Sequence, residues 1–264
     1  MIGQKKNKLI IDDWAKKNKF PKFIIITGSI GSGKRTLVKY ITDKMNRQVI
    51  NCGLSVDDVR EVISQAYTLT IPTVFIFADA HKMSAQAKNA LLKVTEEPPN
   101  DAMFILTSVS IEQLLPTLES RCVLLEIEPY EDSELYELWP DENVKYACYP
   151  GDIEKLKSIN ISALENLCSD IIKLTKSMSY EVFVLLGDIK FSNNDKGIFD
   201  LSLVMNVLND MLISEYEKSK NITYLLMRDR VSRSFYSLNH YNILDYAEFI
   251  NMLISFYEIQ KLCA

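Results

Sequence analysis

Seven residues constrain this chain more than any other stretch: Gly28-Ser29-Ile30-Gly31-Ser32-Gly33-Lys34. They follow the apolar run Phe23–Thr27 directly and lead into good helix formers. A strand, a glycine-rich turn and a helix in that order form a phosphate-binding loop. Glycines let backbone N–H groups turn inward around phosphate oxygens, the helix N-terminus adds partial positive charge, and a lysine neutralises the outer phosphates. Such a loop needs a parallel sheet behind it. The first half of the chain supplies the pattern, with apolar runs at 23–27, 49–52, 73–78, 103–107 and 123–127 separated by amphipathic stretches. Four of the five are continuously apolar, as expected of parallel strands buried on both faces. Ser84 is placed to cap a helix in which Ala87, Ala90, Leu91 and Val94 share one face, and Pro98-Pro99 ends it.

The pattern changes after Pro129. Residues 131–178 are acidic and read as short helices broken at Pro140 and at Pro150-Gly151. From about Ser179 strand alternation disappears and amphipathic helices dominate. One spans 201–216, with Leu201, Val204, Met205, Leu208, Met211 and Leu212 on one stripe. Another spans 241–262 and is aromatic on its apolar side, while residues 193–197 read as a loop by composition. The expected architecture is α/β over 1–130, a small helical segment over 131–178 and an all-helical domain over 179–264.

Composition narrows the function classes. The chain has 264 residues, of which 47% are hydrophobic and 25% charged, as in ordinary globular proteins. No apolar run approaches the ~18 residues of a membrane span, so no membrane role is expected. Five scattered cysteines form no C-x-x-C pair, which argues against zinc and for reduced, cytoplasmic thiols. A net charge of −5 excludes a uniformly basic nucleic-acid binder. Residues 1–22 nevertheless hold seven lysines against two aspartates. They are either a solvated, frayed terminus or a phosphate-contacting arm.

Around the loop the hydrolytic residues are altered. Arg35 stands where a magnesium-binding hydroxyl is expected, and a guanidinium cannot ligate a cation. Thr36 has the hydroxyl, but one residue onward turns it by ~100° on a helix. Asp79, 45 residues after Lys34, ends an apolar strand as a metal-associated carboxylate does, yet Ala80 follows where a Glu would act as base. His81 reads as a surface or loop residue rather than a replacement base. Thr107 ends the next strand with a hydroxyl able to probe a γ-phosphate. Ser120-Arg121-Cys122 enters the last strand and holds a guanidinium at a rigid corner, where it can stabilise phosphoryl charge on a neighbour; alone it would read as a surface ion-pairing arginine.

Together these residues resemble the clamp-loader branch of the AAA+ ATPases. The likeness rests on residues 77–84 (Phe-Ala-Asp-Ala-His-Lys-Met-Ser), 89–99 (Asn-Ala-Leu-Leu-Lys-Val-Thr-Glu-Glu-Pro-Pro) and Ser120-Arg121-Cys122. It covers about residues 20–130. Within the family the chain is most similar to the bacterial delta-prime subunit of DNA polymerase III, a ring member that does not hydrolyse ATP. Gly33-Lys34-Arg35-Thr36 also resembles the degenerate phosphate loop of a non-catalytic subunit of eukaryotic replication factor C. The resemblance implies an AAA+ core at 1–130, a lid at 131–178 and an oligomerising collar at 179–264. It implies ATP or ADP held by Gly28, Ser29, Gly31, Ser32, Gly33, Lys34, Arg35, Thr36, Asp79 and Thr107, without a secure place for Mg2+. Arg121 becomes an arginine finger acting in trans. The implied partners are other clamp-loader subunits in a hetero-oligomeric ring, the sliding clamp and primer–template DNA, with Lys82 and Lys88 as candidate phosphate contacts. Two departures stand out. The zinc-binding insertion of cellular homologues is absent, and 131–178 contain no arginine to act as lid sensor, leaving Lys155 as a weak substitute. Such trimming fits a diverged, phage-encoded version. Two alternatives stay open: a self-contained ATPase acting on DNA or protein, and a replication scaffold that binds no nucleotide.

Overall fold

The computed structural model describes residues 2–99, 101–175, 181–191, 197–240 and 244–263. The loop expected at 193–197 lies outside the described residues except for Gly197. The chain divides into two compact units, Met1–Tyr130 and Glu131–Ala264.

The first unit runs α1 (Lys5–Lys16), β1 (Phe23–Thr27), α2 (Lys34–Thr42), β2 (Gln48–Asn51), α3 (Val56–Tyr67), β3 (Thr73–Phe77), α4 (Ala85–Glu96), β4 (Ala102–Ser108), α5 (Pro116–Glu119) and β5 (Val123–Glu126). All five strands are parallel, in the order β2-β3-β4-β1-β5. The three central strands are buried along their whole length, which accounts for their continuous apolar sequences. β2 and β5 are edges, and only Leu125 of β5 is buried, so the apolar run at 123–127 does not mark a strand covered on both faces. Alternate residues point to opposite faces. Phe23, Ile25, Phe75 and Phe104 therefore join Val59 and Val62 of α3 and Leu91 and Val94 of α4 in one core, with Phe23 and Phe104 stacked at 4.7 Å.

Local signals set the helix starts. Ser84 accepts the Ala87 N–H at 3.2 Å, as its position suggested, and α4 stops at Glu96 before the two prolines. α3, unremarked in the sequence, begins with a capping box between Ser55 and Asp58. The lysine-rich N-terminus is not frayed. It forms α1 and is tied down by polar side chains: Gln4 donates to the Glu128 carbonyl and Asn7 to the Glu126 carbonyl, each at 2.7 Å. Ile11 is fully buried, and Asp12 accepts from Tyr40 of α2 and from Lys44 just after it.

The second unit contains α6 (Asp132–Tyr136), α7 (Pro150–Lys157), α8 (Ile161–Leu174), α9 (Glu181–Leu185), β6 (Ile189–Lys190), β7 (Phe199–Asp200), α10 (Leu201–Ser219), α11 (Ile222–His240) and α12 (Asp245–Leu262). The helices are interrupted before Pro150 as expected, and Pro150 itself opens the next one, since at the first helical position its missing N–H costs nothing. α8 packs on α10, and α10 on α11. α10 buries Leu203 and Val207 besides the expected Val204, Met205, Leu208 and Leu212, so its buried surface is wider than one stripe. Phe249 and Phe256 supply the buried aromatics of α12; the expected helix start at 241–243 lies outside the described residues. Two strand residues on each side, β6 and β7, pair in parallel in a region otherwise helical. Among the described residues, no helix is long and apolar enough to cross a membrane.

Candidate nucleotide site and arginine corner

In an open parallel sheet the C-terminal strand ends frame a crevice. Here the ends of β1, β3 and β4 do so, lining a cavity of about 450 Å³ with Gly31, Ser32, Gly33, Lys34, Asp79 and Thr107. β1 contributes the glycine loop. Gly31 and Gly33 sit at φ 80° and 96°, in left-handed territory that suits glycine. Gly28 is needed for space: a Cβ there would stand 2.8 Å from Ser32 Oγ and 3.0 Å from Ile127 Cβ. Gly33 precedes α2, whose N-terminus has no side-chain cap, so its first N–H groups remain available to an anion. Ser32 Oγ is buried with no hydrogen-bond partner, a second polar group awaiting one.

Lys34 crosses the loop and donates to the carbonyls of Gly28 (2.6 Å) and Ser29 (2.8 Å). Burial holds its ammonium below the ordinary lysine value, partly offset by the Asp79 carboxylate. A phosphate would give this half-buried cation a charged partner in place of two neutral oxygens. Arg35 lines the cavity with an exposed side chain. Thr36 is exposed and absent from the lining, as the helical rotation anticipated.

The opposite wall comes from β3 and β4. β3 ends at Phe77, so Asp79 lies past the strand end in a left-handed turn at φ 57°. The apolar run was expected to reach Ala78 with Asp79 directly after it; the strand stops one residue sooner and Asp79 sits in the turn. Its backbone N–H donates to Thr107 Oγ1 at 3.0 Å, clamping the turn to β4. Among the described residues lining the cavity Asp79 is the only carboxylate, and it pairs with Lys82 at 3.3 Å. His81 also lines the cavity, so it is not a plain surface residue; burial pushes its imidazole below the usual range. These residues fit a polyphosphate. They fit a protein-held magnesium poorly: Arg35 offers no lone pair, Thr36 faces away, and one ion-paired carboxylate remains.

Arg121 is absent from the cavity lining. It follows α5 on the surface, where its guanidinium donates to the Thr117 carbonyl at 2.9 Å and pairs with Glu96 at 3.2 Å. The neighbouring Cys122 thiol is pushed up to about 12 by burial. The two lysines marked as phosphate contacts are engaged within the chain. Lys82 holds Asp79, and Lys88 donates to the Gln113 carbonyl at 2.7 Å. The sequence did not indicate that Val109 would accept the Gly28 N–H or that Tyr130 would approach Ser32. The latter contact spans 98 positions, and no local pattern encodes it.

Residues 53–131 match the model of a family described as DNA polymerase III, delta subunit. A family model and curated relatives thus both place the resemblance among subunits of DNA polymerase III. The chain is 24% identical over 167 residues to DNA polymerase III subunit gamma of Buchnera aphidicola, covering 52% of this chain and 46% of that protein. It is 41% identical over 69 residues to subunit gamma/tau of Mycobacterium tuberculosis, covering 25% and 12%. The chain thus spans about half the length, or less, of these curated relatives. A solved gamma subunit-related protein of Thermotoga maritima aligns over 95% of this chain and 99% of its own, at 17% identity and a TM-score of 0.44.

Proposed function

We propose that this chain is a non-catalytic, delta-prime-like subunit of a DNA polymerase clamp loader. It binds ATP or ADP through the Gly28–Lys34 loop without hydrolysing it, and offers Arg121 to the nucleotide of an adjacent ATPase subunit. The observation that carries this reading is a contrast within the first unit. The cavity has a complete phosphate grip but one carboxylate, neutralised by Lys82, while the arginine at the Ser-Arg-Cys motif lies exposed outside it. A guanidinium outside the cavity, held on the surface by Thr117 and Glu96, stabilises phosphoryl charge only when another subunit brings that charge to it.

In the same reading residues 131–178 serve as lid and 179–264 as collar. The other subunits, the sliding clamp and primer–template DNA are partners through the assembled ring. The Lys82 and Lys88 amines are already bonded within the chain, which favours an indirect relation to DNA over contact by these two residues.

Calorimetry of the isolated chain tests the proposal. ATP and ADP should both bind, Lys34→Ala should weaken binding at least ~30-fold, and phosphate release should be negligible. One observation favours a second reading, a self-contained ATPase: the Asp79 carboxylate, thrown past the strand end, lines the cavity and could act as base toward water. DNA-stimulated hydrolysis by the isolated chain, abolished in Asp79→Asn, would select it.

A further inference from the structure

His81 belongs to neither of the motifs that define the phosphate grip, yet it shares the cavity with them. It sits in the single 3-10 turn Ala80–Lys82 that follows Asp79, on the wall facing the glycine loop. Its Nδ1 is buried and has no hydrogen-bond partner. Around it three polar side chains already hold a bond inside the chain, Thr107 keeping its hydroxyl hydrogen free. The Asp79 carboxylate pairs with Lys82, Thr107 Oγ1 accepts from the Asp79 N–H, and Lys88 is held by the Gln113 carbonyl. The imidazole is the side chain of that wall without a bonded partner inside the chain, among the described residues.

The arrangement of a phosphate loop determines what reaches this wall. Backbone N–H groups of the loop cradle the inner phosphates and its lysine reaches the outer ones. A diphosphate is then satisfied largely by the loop, whereas a third phosphate extends beyond it toward the ends of β3 and β4. The one carboxylate there would repel that phosphate, but Lys82 masks it. A neutral imidazole presents one N–H donor and one acceptor, and a donor next to a phosphate oxygen forms a charge-assisted hydrogen bond.

We propose that His81 is a specificity residue of the nucleotide site, donating a hydrogen bond to the outermost phosphate and favouring a nucleoside triphosphate over a diphosphate. This rests on the reading of the cavity as a nucleotide site.

The test compares calorimetric affinities of the full chain for a non-hydrolysable ATP analogue and for ADP, in the native protein, His81→Ala and His81→Gln. Removing one charge-assisted hydrogen bond should weaken analogue binding about tenfold and ADP binding less than about twofold. Glutamine, which retains an N–H donor, should recover part of the loss. As a second readout on the unaltered protein, the imidazole nitrogen resonances should move on adding the analogue and stay put with ADP. Equal losses for the two nucleotides, no loss for either, or imidazole signals indifferent to the analogue would each overturn the assignment. Absence of binding of both nucleotides to the native chain would overturn the nucleotide reading itself, a result distinct from the others.

Discussion

The phosphate cavity and the arginine corner lie in the same unit and use the same device with opposite consequences. In each, a cation rests on acceptors of its own chain: Lys34 on the Gly28 and Ser29 carbonyls, Arg121 on the Thr117 carbonyl and Glu96. Lys34 is half-buried on neutral oxygens, an environment that disfavours its charge and rewards an arriving anion. Arg121 is exposed and paired with an exposed carboxylate, a contact worth only ~0–1 kcal/mol in water. The first site is preorganised to capture something in place. The second is restrained only weakly. In the proposed function this contrast separates binding, kept by the loop, from hydrolysis, to which the arginine contributes on a neighbour.

Three substitutions sharpen or break this contrast. The largest effect is expected from Arg121→Ala: ATP turnover by the assembled complex should fall ~10³-fold or more, while the isolated chain binds nucleotide as before. A mutant complex with normal turnover would remove the arginine from the chemistry. Next is Gly28→Ala. Its methyl would stand 2.8 Å from Ser32 Oγ, closer than real Cβ atoms approach, and a tight 3.0 Å from Ile127 Cβ, so a loss of about 1–3 kcal/mol is expected, read from the denaturation midpoint. A stability equal to the native protein would mean the loop is looser than its geometry implies. The smallest effect belongs to Glu96→Ala, which frees Arg121 and should change stability by less than about 1 kcal/mol with complex turnover retained. A large drop in turnover would instead make Glu96 a positioning residue for the arginine.

The strands were legible because a parallel sheet covered on both faces demands unbroken apolar runs, and β1, β3 and β4 supply them. Ser84 and Pro98-Pro99 announced the limits of α4 for reasons internal to a few residues. The N-terminal lysines were ambiguous. Charge alone cannot reveal that Gln4 and Asn7 will find the carbonyls of Glu128 and Glu126, more than a hundred positions away. Pro150 marks a break between helices as expected, and which side of the break it joins is decided by the surrounding backbone, since proline begins a helix well. Asp79, expected directly after a strand at 73–78, lines the cavity from a left-handed turn, a backbone geometry that residue type does not announce.

From the amino-acid order alone came the phosphate loop, the parallel sheet, the altered magnesium and base positions, and the Ser-Arg-Cys corner. Each is a matter of residue type at short spacing, where local chemistry is sufficient. The fold alone decided that His81 enters the cavity, that Lys82 masks the single carboxylate there, that Lys88 is tied to Gln113, and that Arg121 turns outward to Glu96. These depend on which strand ends become neighbours and which polar groups find partners across the chain, and such pairings exist only once the sheet has assembled.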